Sequence, residues 1–478
     1  MMEKQKKFLD TVHGYITIPE TYCDKIIDTI EFQRLRRIEQ TSSRSIFPCA
    51  RHDRFIHSLG VYHIGNKIFK QIKKRCEVNE ILTKPEWNTI EKTYQIACLL
   101  HDCGHAPFSH TFEKYYDKPP KLTDKLVELA NDEDFTKVVV DQSESAQHER
   151  LSAILLLEHF KDIIFDLEGD PLLAVRMIIG CKYNLQENYS AYKAISNCFI
   201  SLLNGEIIDA DKIDYVCRDK WASGYSATNV DVERLISSIH LKNKNNREYY
   251  ICFDKNALHE IQSVLDVKNF QYLYVISHHK VVYDQYILDK AIESLAELIF
   301  PNDRKEMALS KLFDYKSFLE RVEIGNYFLY LPSDDDLIHL LKHYINDNKF
   351  AKEWFSRQHS FFPLWKSRSE FLHYFKGISI TKLKDEHNKG RLEPQLTRFF
   401  EKKNIKHLYL DATPKFSKID ESQVKIDING DICSYTDLDL PSSSIEKNFL
   451  FYIYISQDDA GQQFSITELK QVLENITS

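Results

Sequence analysis

The sequence predicts a mainly α protein, with a large helical portion over residues 1–300 and a smaller α+β portion over residues 301–478. Several segments of the first portion place apolar residues three or four positions apart, which is the spacing of one helix face. Short apolar runs separated by turn residues gather after residue 400, which is the pattern of strands. At 478 residues the chain is long enough for two or more domains.

The composition is that of a globular protein and argues against several functional classes. Hydrophobic residues make up 43% and charged residues 28% of the chain, and no window near 20 residues is free of charge, so no membrane span is expected. The net charge of −8 gives no indication of a nucleic-acid partner. The ten cysteines include no CxxC pair, which fits reduced thiols. The N-terminus lacks the apolar run of a signal peptide, so we expect a cytoplasmic location.

The first 70 residues contain one predicted extended segment and two predicted helices. Residues 10–19, DTVHGYITIP, alternate apolar and polar positions after Gly14, which predicts a strand or extended arm. Residues 28–40 and 50–69 have the apolar spacing of helices. The second of these helices carries His57 and His63, and a lone histidine there would more often be a satisfied core residue.

The segment from 97 to 113, ACLLHDCGHAPFSHTFE, holds the densest group of chemically active side chains. Three histidines and two acidic residues fall within thirteen positions: His101, Asp102, His105, His110 and Glu113. The apolar lead-in predicts a helix, on which residues three or four positions apart share a face. Gly104 and Pro107 predict an end or kink between the two halves of the group. Imidazoles and carboxylates suit Zn, Fe, Mn or a related divalent ion, so this segment predicts a metal or catalytic site more strongly than a structural polar cluster.

Two further segments follow this group. Residues 118–141 are highly charged and predict a surface excursion, whereas residues 147–160, QHERLSAILLLEHF, predict an amphipathic helix that opens with His148. A histidine in the first turn of a helix is often simply exposed.

Residues 204–226 predict another helix with functional side chains. Asp211, Tyr215 and Asp219 follow one another at four-residue steps, so they line one helix face. On sequence grounds alone, Asp209 and Asp214 compete with Asp211 as a metal ligand.

The C-terminal part has clearer local structure than function. Ser333 and Asp336 predict a capping box before a helix, and Ser465 and Glu468 predict another before the last helix. The runs HLYL, VKIDI, ICSY and NFLFYIYI predict strands, with Asn429-Gly430 as a hairpin turn. Oligomerisation, lid formation and regulation all stay open as roles for this part.

The order of these motifs resembles the HD-domain superfamily of metal-dependent phosphohydrolases. His57 lies in RFIHSLGV, the His101–Asp102 pair in LLHDCGHAPFSHTFE, and Asp211 in IDADKIDYVCRD. Within the superfamily the sequence is similar to the deoxynucleoside triphosphate (dNTP) triphosphohydrolases, collinearly from residue 10 to about residue 232. The resemblance implies a helical HD-domain core and hydrolysis of a dNTP to a deoxynucleoside and inorganic triphosphate.

The resemblance also implies roles for individual residues. One divalent ion (Mn, Fe, Zn, Mg or Co) would be held by His57, His101, Asp102 and Asp211. Proton transfer, water positioning and contact near the phosphates would fall to the catalytic residues His110, Glu113, His105 and His148. The substrate would contact Arg54, Gln40, Thr41, Lys212, Tyr215, Asp219 and Lys280. Lys280 stands nearest the position of a phosphate-binding arginine in the family, and the two residue types are not equivalent at a bidentate site.

A regulatory site and an assembly are implied in the same way. Asp28, Gln33 and Arg36 match contacts that vertebrate family members make to a guanine-nucleotide activator, whereas Leu9 replaces another expected contact. The resemblance implies a homo-oligomer (dimer, tetramer or hexamer) with a dNTP substrate and a nucleotide activator as ligands.

Three functions therefore stand as hypotheses. The first is a dNTP triphosphohydrolase, which the face formed by Lys212, Tyr215 and Asp219 favours. The second is another HD-domain phosphohydrolase that acts on nucleoside monophosphates, an alarmone or single-stranded nucleic acid. The third is a nucleotide-sensing protein with little turnover, against which the intact ligand set argues.

Overall fold

The structure, a computed structural model, describes residues 4–76, 81–116, 119–142, 145–185, 190–226, 228–244, 248–413, 421–438, 449–459 and 465–477. The chain forms two compact units that interleave along the sequence. The first unit comprises Met1–Lys268, Ala296–Leu340 and Ser417–Ser442, and the second comprises Asn269–Leu295, Leu341–Phe416 and Ser443–Ser478. The predicted boundary at residue 300 stays a prediction.

The first unit is mainly helical. Its α-helices in the described residues are Glu20–Tyr22, Ile30–Gln33, Arg54–Cys76, Lys84–Leu100, Pro119–Ala130, Glu133–Gln142, Gln147–Leu155, Lys161–Asp166, Pro171–Ile179, Ala191–Ser201, Ala210–Ser223, Val232–Ser238, Leu258–Phe270, Lys305–Leu312 and Asp334–His343. Two of these helices, Leu258–Phe270 and Asp334–His343, have their last residues in the second unit. Short 3-10 or π turns cover Cys23–Ile27, Arg34–Arg37, Ser109–Thr111, Glu113–Tyr115, Leu156–Phe160, Lys255–Ala257, Tyr315–Phe318 and Tyr435–Asp437.

Three helices of this unit form the frame of the site. Helix Arg54–Cys76 packs against helices Lys84–Leu100 and Ala210–Ser223. Apolar residues such as Leu59, Ile64 and Leu99 are fully buried, because the apolar faces of these helices meet. The frame therefore brings together one end of each of three segments that are far apart in the sequence.

The first unit also contains small sheets. Strands Gln5–Asp10 and Gly14–Pro19 form an antiparallel hairpin, as do the short strands Val322–Ile324 and Tyr327–Leu329. A four-stranded sheet has the order Asp431–Ser434, Lys425–Ile428, Glu248–Asp254, Ile239–Lys244, and its two middle strands are parallel to each other. The predicted turn Asn429-Gly430 is confirmed, since both residues have positive φ, 57° and 103°.

The second unit is α+β. Its strands Phe361–Pro363, Phe451–Ser456 and His407–Asp411 form an antiparallel sheet with Phe451–Ser456 in the middle and fully buried. Its helices in the described residues are His279–Ile299, Lys349–Ser356, Arg368–Tyr374, Ile380–Asn388, Leu392–Lys402 and Ile466–Thr477. The first of these ends in the first unit. Short π or 3-10 turns cover Gln271–Ile276 and Gln457–Asp459. Trp365 is fully buried in its core and donates from Nε1 to the carbonyl of Phe451 at 2.8 Å.

The mainly α prediction with a smaller α+β part is confirmed, while several details differ. The segment at 118–141 forms two helices with Leu122, Leu126 and Phe135 fully buried, instead of a surface excursion. The helix expected around residues 28–40 ends as an α-helix at Gln33 and continues as a 3-10 turn. None of the helices within the described residues is long and apolar enough to span a membrane.

Candidate metal centre and active site

Three residues from three helices converge in one pocket. His57 lies in the first turn of helix Arg54–Cys76, His101 follows helix Lys84–Leu100, and Asp211 lies in the first turn of helix Ala210–Ser223. One imidazole nitrogen of each histidine and one oxygen of Asp211 all lie within 4.8 Å of one another. The oxygens of Asp102 lie 3.5 Å from His57 Nε2 and 3.4 Å from His101 Nε2, so the four predicted ligands are adjacent.

The donor atoms of this pocket fit a divalent metal ion. His57 donates from Nδ1 to Asp214 at 2.7 Å, and His101 donates from Nδ1 to the carbonyl of Cys98 at 2.9 Å. These bonds leave the Nε2 lone pair of each ring facing the pocket, and both Nε2 atoms are buried without a hydrogen-bond partner. Two imidazole nitrogens and two carboxylates are a donor set that suits Zn, Fe, Mn and related ions.

The electrostatics of the pocket also favour a cation. Burial of His57 opposes its protonation, yet the carboxylates of Asp211 and Asp214 raise the pKa of His57 to about 10. Burial likewise opposes ionisation of Asp102, but Arg54 and His101 hold the pKa of Asp102 well below its usual range. The carboxylates are therefore ionised, and the pocket stabilises a positive charge, whether a proton on His57 or a metal ion.

Asp214 lies behind His57 and fixes its orientation. Its carboxylate accepts from His57 Nδ1, from His13 Nε2 at 2.6 Å, and from both Nε and Nη2 of Arg218 at 2.9 Å. Arg218 in turn donates to Asp10 at 2.7 Å. A Cβ atom at Gly60 would lie 1.9 Å from Asp214 Oδ1, so only glycine leaves room for this carboxylate. On sequence grounds Asp214 competed with Asp211 as a metal ligand. In the structure its carboxylate instead accepts a hydrogen bond that orients the ring of His57.

The third competing aspartate caps a helix. Asp209 accepts from the backbone N–H of Lys212 at 2.8 Å, which makes it the N-cap of helix Ala210–Ser223, and it also accepts from the ammonium of Lys212. Burial raises the pKa of Asp209 to about 7. The side chain of Asp209 thus caps the helix. Asp211 is the aspartate of this run that lies near both His57 and His101.

A second cluster adjoins the pocket and centres on Glu113. The Nδ1 atoms of three rings face Glu113 Oε1, at 3.0 Å from His105, 3.2 Å from His110 and 2.7 Å from His148. His105 Nε2 also lies 3.2 Å from Asp102 Oδ1, so His105 joins the two clusters. A Cβ atom at Gly104 would lie 2.3 Å from the backbone nitrogen of Ser152, and this close approach brings helix Gln147–Leu155, with its His148, against the loop.

The second cluster has the geometry of a proton-transfer group. The rings of His105 and His148 stack at 3.9 Å with 14° between their planes, so the in-plane lone pairs of both rings cannot point to one metal ion. Burial, with the nearby cations of Arg54 and His148, lowers the pKa of His105 to about 3. Against the effect of burial, Glu113 raises the pKa of His148 to about 9, while the histidines hold the pKa of Glu113 well below its usual range.

The segment that carries these residues differs from its predicted shape. The helix before it ends at Leu100, four residues ahead of Gly104, and turns cover residues 101–104 and 107–108. His101 and His105 therefore reach the site from a turn rather than from one helix face. Phe108 and Ser109 have positive φ, 58° and 52°, which non-glycine residues rarely adopt.

Arg54 and Lys212, two of the predicted substrate contacts, are buried and already hydrogen-bonded. Arg54 donates to Asp102 at 2.7 Å and to Ser109 Oγ at 3.0 Å, so its charge lies directly beside the metal pocket. The ammonium of Lys212 bonds to Asp209 and to the carbonyl of Gly205 at 2.8 Å.

Two of the predicted substrate contacts, Gln40 and Asp219, lie against His52, which the sequence did not indicate. His52 Nε2 lies 2.6 Å from Asp219 Oδ1, and its carbonyl accepts from the backbone N–H of Gln40 at 3.0 Å. Gln40 is buried and its Oε1 has no hydrogen-bond partner, while Thr41 Oγ1 lies 2.9 Å from Ser43 Oγ. Tyr215 is half-buried on the same helix as Asp219.

The predicted regulatory residues lie near one another in the first unit. Asp28 is exposed and accepts from Lys6 at 3.3 Å, Gln33 donates to the carbonyl of Ile27 at 2.8 Å, and Arg36 donates to Gln33 at 2.9 Å. Lys280 lies in the second unit and is exposed, and its role stays a prediction.

Orienting residues such as His13, Asp214 and His52 were not recognised from the sequence. Asp214 and Arg218 have the four-residue spacing of a helical ion pair, which was the available signal. His13 lies in the turn between strands Gln5–Asp10 and Gly14–Pro19, and His52 lies just before helix Arg54–Cys76, so each meets its aspartate only through the fold.

Comparisons with known proteins agree with this geometry. The chain matches the family model described as the HD domain over residues 54–182, which contains His57, His101 and Asp102. It is 30% identical over 316 residues to the deoxynucleoside triphosphate triphosphohydrolase SAMHD1 homolog of Dictyostelium discoideum, covering 65% of this chain and 52% of that protein. It is 32% identical over 261 residues to deoxynucleoside triphosphate triphosphohydrolase SAMHD1 of Gallus gallus, covering 53% and 39%. The chain thus spans about half the length, or less, of these curated relatives.

Two solved structures share the fold over nearly the whole chain. A phosphohydrolase from Bacteroides thetaiotaomicron has a TM-score of 0.62 at 20% identity, covering 95% of this chain and all of that one. A hypothetical protein from Aquifex aeolicus has a TM-score of 0.59 at 22% identity, covering 98% of this chain and all of that one. The family match, the curated relatives and the ligand pocket agree: residues 54–182 contain an HD domain, and the chain is similar in sequence to deoxynucleoside triphosphate triphosphohydrolases.

Proposed function

We propose that the chain is a metal-dependent dNTP triphosphohydrolase, which releases a deoxynucleoside and inorganic triphosphate by attack of water on the α-phosphorus. The observation that carries the proposal is the adjacency of two clusters. A metal-type pocket of His57, His101 and Asp211 lies beside a carboxylate with three imidazoles, and Asp102 and His105 connect the two at 3.2 Å. The curated relatives with this activity in their names add support.

The metal pocket would hold one divalent ion. His57, His101, Asp102 and Asp211 would bind it, and a divalent ion there supplies Lewis-acid polarisation of a phosphoryl oxygen. The side chain of Asp211 is 33% exposed, whereas those of the other three residues are 10% exposed or less. A substrate phosphate therefore has access on the side of Asp211.

Proton transfer would fall to the pair His110 and Glu113. The side chain of His110 is 66% exposed, so it can reach a substrate or water, and its Nδ1 lies 3.2 Å from Glu113 Oε1. An ionised carboxylate in this position fixes the tautomer of the ring. The pair can thus accept a proton from the attacking water and return one to the 5′ oxygen that leaves.

Cations near the pocket would stabilise the phosphates. A triphosphate carries about four negative charges, and fixed cations aimed at it stabilise the charge of the transition state. The guanidinium of Arg54 is held beside Asp102, and the ring of His148, whose pKa is raised to about 9, is cationic at neutral pH.

The deoxyribose would lie along helix Ala210–Ser223. Tyr215 and Asp219 follow Asp211 by one and two helical turns, which places them roughly 6 Å and 12 Å further along the axis. A ring packed on the sugar leaves little room for a 2′-hydroxyl, and the carboxylate of Asp219 can accept from the 3′-hydroxyl.

Product analysis tests the proposal. Purified protein is incubated with each dNTP and Mn²⁺ or Mg²⁺, with the Asp102→Ala variant as control, and the products are separated. Deoxynucleoside plus triphosphate from the wild type alone supports the proposal. Release of pyrophosphate or single phosphates, or turnover only of a nucleoside monophosphate, an alarmone or single-stranded nucleic acid, would indicate another HD-domain phosphohydrolase. Binding without turnover would indicate a nucleotide sensor.

A further inference from the structure

The loop between Asp102 and His110 has an unusual backbone that distant residues hold in place. This loop carries His105, which joins the metal pocket to Glu113. Phe108 and Ser109 lie in the left-handed region, which is strained for non-glycine residues and persists only where surrounding contacts fix it.

Arg34 holds the first half of the loop. Its side chain is buried and donates to three carbonyl oxygens: Nη1 to Cys103 at 3.0 Å, Nη2 to His105, and Nε to Pro332 at 2.7 Å. Its guanidinium also lies 4.6 Å from the centre of the Phe318 ring. A guanidinium holds its donors in a planar, fixed fork that reaches these three carbonyls, and the single ammonium group of a lysine does not reproduce that geometry.

Asp334 holds the second half of the loop. It is 5% exposed, and its two oxygens accept from backbone N–H groups of different segments, from Phe108 at 2.6 Å and from Glu39 at 2.9 Å. Ser109 adds a hydrogen bond from Oγ to the carbonyl of Glu39. The strained residues are therefore tied to residue 39 on one side and to the start of helix Asp334–His343 on the other.

We propose that Arg34 and Asp334 are positioning residues that fix the loop of residues 103–109 and thereby set His105 between Asp102 and Glu113. The segment of residues 332–334, more than 200 positions after the loop, thus becomes part of the support of the active site. The effect on turnover rests on the proposed function, whereas the effect on the loop itself does not.

The test compares Asp334→Asn with Asp335→Asn. Asparagine has the shape of aspartate but keeps only one acceptor oxygen, so one of the two backbone donors loses its partner. Asp335 is the matched control, because it is the next residue, its side chain is 61% exposed and its partner Arg37 is 67% exposed. Arg34→Lys is the second variant, since it keeps the charge and loses the fork.

Two measurements are made on each variant. Amide hydrogen exchange should become at least about 10-fold faster at residues 105–110 in Asp334→Asn and Arg34→Lys, and stay unchanged in helix Ile466–Thr477. The kcat for the dNTP that the wild type hydrolyses should fall about 10- to 100-fold, with KM and metal content within twofold of wild type.

The outcomes separate the claim that Arg34 and Asp334 hold the loop from the proposed dNTP hydrolysis. Unchanged exchange in the loop overturns the proposal, and so does faster exchange with unchanged kcat or with loss of the metal. If the wild type hydrolyses no dNTP, the proposed function fails, and the exchange measurement alone decides whether Arg34 and Asp334 hold the loop. An effect of equal size in Asp335→Asn would also overturn the proposal, because it would show a general effect of charge.

Discussion

Replacement of Asp211 and of Asp214 by asparagine should affect metal binding and stability to different extents. Asp211 contacts His57 and His101 across the pocket and is 33% exposed. Asp214 is fully buried and accepts four hydrogen bonds, two of them from Arg218. The first residue therefore acts on the metal alone, whereas the second acts on the scaffold and, through His57, on the metal as well.

The magnitudes follow from these contacts. Asp214→Asn removes the charge opposite a buried guanidinium and replaces an acceptor oxygen by an amide that faces donors. Breaking a buried pair in this way costs about 3–5 kcal/mol of the free energy of unfolding. The orientation of His57 is lost with it, which should weaken metal affinity by about 10- to 100-fold. Asp211→Asn removes a ligand from a partly exposed site and should change the stability of the metal-free protein by no more than about 1 kcal/mol.

The assay measures both quantities on the same samples. Urea denaturation of chelator-treated protein gives the free energy of unfolding, and elemental analysis with a competing chelator gives metal content and affinity. Asp209→Asn is a control for metal content, because Asp209 faces Lys212 and asparagine also caps helices. The reasoning is refuted if Asp214→Asn keeps the stability of the wild type while Asp211→Asn keeps its metal affinity.

Three further predictions concern catalysis, sugar selection and pH. His110→Ala and Glu113→Ala should each lower kcat by about 10²–10⁴ with unchanged metal content, and loss of metal would instead make them ligands. Steady-state kinetics with dGTP and GTP, and with dATP and ATP, should show that kcat/KM is about 10-fold or more higher for the deoxy substrate, and Tyr215→Ala should reduce this preference. Equal wild-type rates on the deoxy and ribo substrates would contradict the sugar pocket. Burial, with the nearby charge of Lys67, lowers the pKa of His63 to about 4, so between pH 6.5 and 4 the unfolded chain binds a proton that the folded chain does not. The free energy of unfolding should therefore fall as the pH decreases through this range, and His63→Phe should remove at most about 3 kcal/mol of that fall. Urea denaturation across the pH range measures this, and equal pH profiles for the wild type and His63→Phe would contradict the prediction.

The sequence predicted the helices, and the proximity of the candidate ligands, better than it predicted the backbone between them. Apolar periodicity located the helices that begin at Arg54 and Gln147, because each buries one face of a long segment. It failed at His101, where the helix ends at Leu100 so that two adjacent residues, His101 and Asp102, can both face the pocket. The spacing of apolar residues does not indicate where such a helix ends when the polar residues that follow it also face the interior.

Contacts between distant segments were also beyond the reach of the sequence. The hairpin of Lys425–Ile428 and Asp431–Ser434 was recognised from its turn, but its parallel pairing with Glu248–Asp254 depends on the fold of the whole unit. For the same reason the sequence does not indicate the three acceptors of Arg34, which come from residues 103, 105 and 332. Local patterns specify elements, whereas the partners of buried polar groups are fixed only when the elements pack.

The most direct test of the central claim is hydrolysis of a dNTP in water enriched in ¹⁸O, followed by mass spectrometry of both products. Attack of water on the α-phosphorus forms the new P–O bond there and breaks the bond to O5′, which leaves with a proton. We predict one ¹⁸O atom in the inorganic triphosphate and none in the deoxynucleoside. Label in the 5′-hydroxyl of the deoxynucleoside, or formation of a deoxynucleoside monophosphate with pyrophosphate, would contradict the account.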